Sequence, residues 1–382
     1  MLQQTDDKNR KLTQNLLPEA QQWAQVLQII ANEPLEYCPD FPLICQRFEA
    51  WWNQDCLDRP VFICSTNSNP NRPITRRLEL LGNPEEWFTT KISDLENIHR
   101  VGDALPLVRP DFGPVVLGGA FGGKVEFTAD TTWTHPFIND SWENEPDWIL
   151  HQDNPWWSKI TQFSKLVASR GKGKYILQTP NLGSSADILL NLRGSTELCL
   201  DVIDQPSKII SAVQAIYPSW REALRQLFDI ALSAEVGVSH HTLTWSNLPH
   251  TPIECDFNYL ISKKDFERLF IPDIERQSST LNRCIFHLDG PGAVKHLDAL
   301  LQIPTIQAIQ YVPGDGTPSA LPWIKMYQKI LAAKKSVQIV CPVTEVIQLS
   351  QELQPEGVCY LASTNLPPYE VDQLFEQFKK LY

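Results

Sequence analysis

What the sequence lacks already narrows its function. No apolar run approaches the ~18 residues needed to cross a bilayer. The opening residues, Met1-Leu-Gln-Gln-Thr-Asp-Asp-Lys8, are polar and lack the apolar stretch of a signal peptide. Positive charge is in deficit: 33 Lys and Arg stand against 45 Asp and Glu, a formal net charge of -12. Phosphate backbones are gripped by clustered Lys and Arg, so a nucleic-acid partner is disfavoured. The nine cysteines form no CxxC pair and are odd in number, which predicts reduced thiols in a cytoplasmic protein. The glycine-dense stretch Phe112-Gly-Pro-Val-Val-Leu-Gly-Gly-Ala-Phe-Gly-Gly123 has neither GxGxxG spacing after a strand nor GxxxxGK[ST]. No nucleotide cofactor is expected.

What is present reads as an ordinary globular enzyme-sized chain. Its 382 residues are 42% hydrophobic and 20% charged, and α/β barrels of this length form single domains. The 29 prolines and 12 tryptophans point to fixed loops and large buried surfaces. Helices are expected over 21–30 and 42–53, the second ending near Trp51-Trp52, whose rings read as packing. A strand follows at 59–64 and a helix at 74–81. Residues 82–157 have weak periodicity and read as a long irregular insert forming a lid or pocket wall. From 173 onward strands at 174–179, 240–245, 252–257, 284–289, 306–312, 337–341 and 358–362 alternate with helices. Those helices are expected at 203–232, 263–281, 293–301, 321–333, 344–353 and 368–382. Such alternation means parallel strands joined by right-handed crossovers. The expected fold is α/β, a (β/α)8 TIM-type barrel over 58–382, with an N-terminal helical extension over 1–57 packed against it. One strand near 98–107 resists placement.

The stretch whose pattern points most directly to chemistry is Arg283-Cys-Ile-Phe-His-Leu-Asp-Gly-Pro-Gly292. Residues two apart on a strand share a face, so His287 and Asp289 leave the strand's end together before a Gly-Pro-Gly turn. In α/β enzymes that end is where catalytic groups sit. Their bland alternative is a capping pair for the loop. Asp256 ends the preceding expected strand. Brought near Asp289, it would form a like-charged pair with one raised pKa, suited to proton transfer or metal binding. Gln310 and Tyr311 end the next strand and are candidate pocket residues, as are Trp245 and Tyr259, while Asp315 reads as a turn residue. Arg193, in a Leu-Arg-Gly turn, is a candidate anion ligand or a structural salt bridge. Cys341, before Pro342, is a candidate metal ligand or nucleophile or else a buried thiol. Adjacent on one strand, His240 and His241 must face opposite ways and cannot form a metal pair. Glu126, Trp133 and His135 in the insert are candidate lid residues.

Three segments carry a family resemblance. Ala186-Asp-Ile-Leu-Leu-Asn-Leu-Arg-Gly-Ser-Thr-Glu-Leu-Cys-Leu-Asp-Val-Ile-Asp-Gln-Pro206 has a helix, an Arg-Gly turn and an Asp-x-x-x-x-Pro approach to the next helix. Asp256-Phe-Asn-Tyr-Leu-Ile-Ser-Lys-Lys-Asp-Phe-Glu-Arg-Leu-Phe-Ile-Pro272 and Phe286-His-Leu-Asp-Gly290 are the other two. Together they resemble the uroporphyrinogen decarboxylase superfamily, which also holds zinc-dependent methyltransferases acting on corrinoids. The likeness runs from about Phe48 to the C-terminus and is strongest over 175–312. It implies a (β/α)8 barrel with its site at the C-terminal strand ends, and by analogy a homodimer. Two departures matter. The decarboxylases' arginine segment after the first strand is replaced by Phe62-Ile-Cys-Ser-Thr-Asn-Ser-Asn69. The methyltransferases' His-x-Cys zinc motif is replaced by His287-Leu-Asp289, with Ser363 or Thr364 where a late cysteine belongs and Cys359 several residues early.

The resemblance therefore implies an enzyme on a small molecule, with methyl (one-carbon) transfer leading and a corrinoid protein as a possible partner. Zinc at His287, Asp289 and Cys341 is the implied metal site. The alternatives are a metal-free acid/base lyase or hydrolase, a decarboxylase, and a non-catalytic scaffold that binds a ligand or a corrinoid protein.

Overall fold

The structure, a computed structural model, describes residues 16–69, 76–129, 131–138, 141–314, 316 and 319–382. Asp315 and the first two residues of the helix expected at 74–81 lie outside the described residues, and of the rest only a 3-10 turn, Leu78–Leu80, forms. Two helices open the described chain, α1 (Ala20–Ile30) and α2 (Phe41–Trp52). They pack on the body through tryptophan. Trp23 stacks on Phe228 at 5.1 Å and donates to Asp229. Trp51 and Trp52 are buried, and their indole N–H groups donate to the Val337 and Trp245 carbonyls.

β1 (Val61–Asn67) is the first parallel strand. The segment expected to be irregular is more ordered than its periodicity implies. It contains α3 (Pro84–Glu96), β2 (Ile98–Gly102), β3 (Leu107–Val108), the short α4 (Leu117–Ala120) and a hairpin of β4 (Lys124–Phe127) with β5 (Thr132–His135). Asn83 caps α3 and Pro84 sits in its first turn, a start signal that stands even when the apolar stripe is thin. Next come α5 (Pro155–Gly171), β6 (Ile176–Gln178), α6 (Ser185–Arg193), α7 (Ser195–Asp204), α8 (Pro206–Leu232), β7 (Val238–Ser239) and β8 (His250–Glu254). The expected strand at 240–245 is instead a loop: Leu243 adopts φ 56°, a left-handed conformation that breaks an extended run.

The rest alternates as the sequence implies: α9 (Lys263–Leu269), α10 (Ile271–Ser278), β9 (Arg283–Asp289), α11 (Leu297–Leu301), β10 (Ala308–Val312), α12 (Ile324–Ala332), β11 (Ser336–Pro342), α13 (Val346–Glu352), β12 (Val358–Ser363) and α14 (Pro368–Lys379). A seven-stranded sheet runs β2-β1-β12-β11-β10-β9-β8, parallel throughout except for the edge strand β2, and a second sheet runs β3-β6-β7. The architecture is thus mixed α/β with mostly parallel strands. Side chains bridge the two sheets: Ser184 Oγ accepts from the Glu254 N–H and Asp187 Oδ1 accepts from the Asp256 N–H, each at 2.8 Å. Among the described residues no helix is long and apolar enough to cross a membrane, and all nine cysteines are free.

Candidate active site

Register places one polar row across five neighbouring parallel strands. Glu254 of β8 pairs with His287 of β9, His287 with Gln310 of β10, Gln310 with Gln338 of β11, and Gln338 with Cys359 of β12. Because side chains alternate along a strand, all five project to one face. The other face, bearing Cys284, Phe286, Ile309 and Ile339, is buried in the hydrophobic core.

From His287 to Cys359 the row is hydrogen-bonded, and its anchor orients both amides. Gln338 Nε2 donates to the Thr242 carbonyl at 2.9 Å, an atom that can only accept. Its Oε1 must then face Gln310, whose Nε2 donates to it at 2.5 Å. Gln310 Oε1 is left for His287 Nδ1. His287 Nδ1 therefore carries a proton, and Nε2 is left to act on the open side. A histidine tied back by a carbonyl in this way is oriented as metal-binding and catalytic imidazoles are.

The carboxylates stand just beyond: Asp289 ends β9, while Asp256, expected to end a strand, instead opens the 3-10 turn Asp256–Leu260 after β8 stops at Glu254. A donor atom from each of Asp256, His287 and Asp289 lies within 4.8 Å of the others, with both aspartates reaching solvent. Glu254 and Asp187 stand behind them, buried. Burial lifts the Glu254 carboxyl to about 7, with Asp256 adding to the effect. Burial likewise raises Asp187 well above the usual carboxylate range, helped by Asp256 and Glu254. Asp256 is raised by the protein packed around its inner side and by Asp289, against the pull of His287. At His287 burial works against the charged ring, but Glu254, Asp256, the Gln310 bond and Asp289 outweigh it and raise its pKa. His241 stacks edge-on against His287 at 5.6 Å, with Nε2 3.6 Å from Glu254. Burial and then the His287 charge keep His241 neutral. Carboxyls of raised pKa grouped around a histidine suit acid/base work or a cation.

Of the residues singled out from sequence, the fold brings together His287, Asp289, Asp256 and Gln310. Tyr259 joins them at the rim: its ring covers the Gly290-Pro-Gly292 turn, and it is half exposed. Tyr311 and Cys341 are turned away by strand parity. Tyr311 packs on Trp323 at 5.1 Å and on Tyr327. Cys341 is a buried thiol, raised by burial and by Glu345, and it stands apart from His287 and Asp289. Trp245 meets Phe41 edge-on at 4.9 Å. Its neighbour Ser246 bonds Arg283 at the start of β9, so that loop lies at the far end of the strand from Asp289. Arg193 is buried in a two-point bridge to Asp201 at 2.6 and 3.1 Å, under the Trp142 ring, which makes it a structural ion pair. His240 is held between Thr179 and the His250 carbonyl. In the hairpin, His135 pairs with Glu126 at 2.7 Å beside an exposed Trp133. Ser363 donates to the Cys341 carbonyl, and Thr364 accepts from the Leu366 N–H.

Glu254, Asp187, His241 and Gln338 escape a reading by motif. The i, i+2 rule that paired His287 with Asp289 would also have joined Glu254 to Asp256. The other three depend on which strands become neighbours. Compared with known proteins, the sequence matches no family model and no curated protein.

Proposed function

We propose that the chain is a uroporphyrinogen-decarboxylase-like (β/α)8 barrel enzyme that acts on a small molecule at Asp256, His287 and Asp289. In this reading the three residues hold a divalent cation, and the reaction is methyl (one-carbon) transfer of the kind the resemblance implies. The observation that carries it is the convergence of three donor atoms within 4.8 Å on a histidine whose other nitrogen is tied back by Gln310. The parallel run from β8 to β1 supports the barrel.

The donor set is one imidazole and two carboxylates. Zinc takes N, O and S ligands, so these residues fit a zinc-class cation. They do not reproduce a thiolate-rich site, since Cys341 faces the helices and Cys359 is bonded to Gln338. Such a cation would lower the pKa of a bound hydroxyl or polarise a carbonyl, and hard ligands favour oxygen over sulfur. The chain's own groups then have clear tasks. Gln310 and Gln338 hold the His287 ring in one tautomer. Glu254, beside His287 in register, is placed to take or return a proton. Tyr259 walls the open side. A corrinoid protein would be the implied methyl donor or acceptor.

A second reading, metal-free acid/base catalysis by a lyase or hydrolase, is favoured by the side-by-side pairing of Glu254 and His287. Calorimetric titration with zinc after chelation separates the two. The metal reading expects about one ion per chain, with affinity lowered ~100-fold or more in His287→Asn. No saturable binding by the wild-type protein would refute it and leave the second.

A further inference from the structure

Between α3, β3 and the end of β6 lies a cavity of about 700 Å³ of a different character from the acidic cluster. Its charged lining comprises four cations, Arg76, Arg77, Lys91 and Arg109, and three anions, Glu79, Asp94 and Asp111. In a chain of net charge -12 this is a local positive excess. Two of the arginines build the walls. Arg77 grips Asp94 through Nε and Nη2 at 3.1 and 2.7 Å. Arg76 donates to the Thr128 and Thr131 carbonyls and to Thr132 at the hairpin.

Arg109 differs. It follows β3 directly and meets Asp111 only at 3.4 Å, and its Nε is buried with no acceptor. The Arg109 side chain as a whole is 33% exposed, so its Nη groups are the donors open to a ligand in the cavity. Lys91, on α3, faces the same space with Asp94, Asp111, Arg77 and Arg109 around it, and burial lowers its pKa.

One wall of the cavity borders the loop that carries His241. Gln178 lines it and donates to the His240 carbonyl at 3.3 Å. The Arg109 charge reaches His241, which stacks on His287. A cationic half and an acidic half thus flank the paired histidines. The volume is that of a small-molecule site, and a planar guanidinium with an ammonium is a natural cradle for an oxyacid.

We propose that this cavity binds an anionic oxyacid group of the substrate, a carboxylate or a phosphate, through Arg109 and Lys91, while the rest of the molecule extends past Gln178 to His287. The second half of that statement rests on the function proposed above, and the anion subsite does not.

The test is calorimetric titration of the intact chain with inorganic phosphate and, separately, with succinate. Saturable binding of at least one is expected, and the one that binds identifies the oxyacid. Arg109→Gln and Lys91→Gln should each weaken it by about tenfold or more, and Asp289→Asn should leave it within about twofold. Should Arg109→Gln fail to fold, as judged by near-ultraviolet circular dichroism, Lys91→Gln carries the same expectation. No binding of either anion by the wild type, or equal affinity in the folded variants, overturns the proposal. Anion binding without zinc binding would sink the metal reading alone, and zinc binding without anion binding would sink this one alone.

Discussion

At the scale of single residues, the site is governed by what lies one and two strands away from His287. Its imidazole is oriented by Gln310, which is oriented by Gln338, which is anchored on the Thr242 carbonyl. Gln338→Leu removes the anchor without touching any proposed ligand. Gln310 can then rotate and present its amide N–H to His287 Nδ1, which favours the wrong tautomer. Zinc affinity is expected to fall ~10–100-fold, measured by the same titration; unchanged affinity would show that the chain of amides does not orient the ring. The pairing of His287 with Asp289 was legible from their spacing. The amide chain was not, because it depends on register between strands 20 or more residues apart.

Buried carboxyls also leave a signature in stability. Burial holds Asp273 up at about 7, against the pull of Arg276 at 3.5 Å and a hydrogen bond from Ser185. An unfolded aspartate titrates near ~3.9, so the folded state binds the proton more tightly. Asp273 therefore favours folding at low pH, and that contribution drains away as pH rises from about 4 to about 7. Asp273→Asn removes the slope. Urea unfolding should show the variant gaining on the wild type by on the order of 2 kcal/mol between pH 5 and pH 8, and parallel pH profiles would contradict this.

At the scale of elements, chain breaks follow proline and glycine chemistry more faithfully than periodicity. The helix expected over 203–232 is divided between α7 and α8 at Gln205, just before Pro206, and the one over 263–281 divides at Phe270, two residues before Pro272. Gln205, before Pro206, leaves the helical region as such residues do, whereas Pro272 takes the tolerated first-turn place in α10 and Pro218 sits inside α8 without dividing it. The turn after β9 is tighter still. Gly290 sits at φ 76°, and a Cβ on Gly292 would lie 2.3 Å from the Tyr259 ring. Gly292→Ala should cost ~1–3 kcal/mol through overpacking, read from the denaturation midpoint. Tyr259→Ala in the same chain should recover most of that cost, and strictly additive losses would show that the ring is not what crowds the turn. Sequence exposed the Gly-Pro-Gly break. It hid Tyr259 as the cover, since that ring arrives from the turn after the neighbouring strand.

At the scale of the whole molecule, the alternation from β8 to α14 was readable because each strand is a short apolar run bounded by turns. Residues 82–157 were not: α3 carries few apolar positions, and β2 enters the sheet antiparallel. Long-range anchors compensate there. Asp103, fully buried, bonds Arg59 at 2.6 and 3.1 Å and Arg47 at 3.1 Å, and accepts the Phe62 N–H at 2.9 Å. It therefore ties the end of β2 to β1 and α2. Asp103→Ala leaves Arg59 buried without its carboxylate and should cost about 3–5 kcal/mol, seen as a lowered midpoint in chemical denaturation. A loss under about 1 kcal/mol would mean the clasp is dispensable.

The same large-scale topology brings donor atoms of Asp256, His287 and Asp289, from separate turns and strands, within 4.8 Å of one another. The most direct measurement is anomalous diffraction from crystals soaked in zinc. A peak bonded to His287 Nε2 and to carboxylate oxygens of Asp256 and Asp289 is expected, at the ~2.0–2.2 Å typical of zinc. Crystals soaked with zinc that show no peak at these three residues, or a peak on His287 Nδ1 with Gln310 displaced, would contradict it.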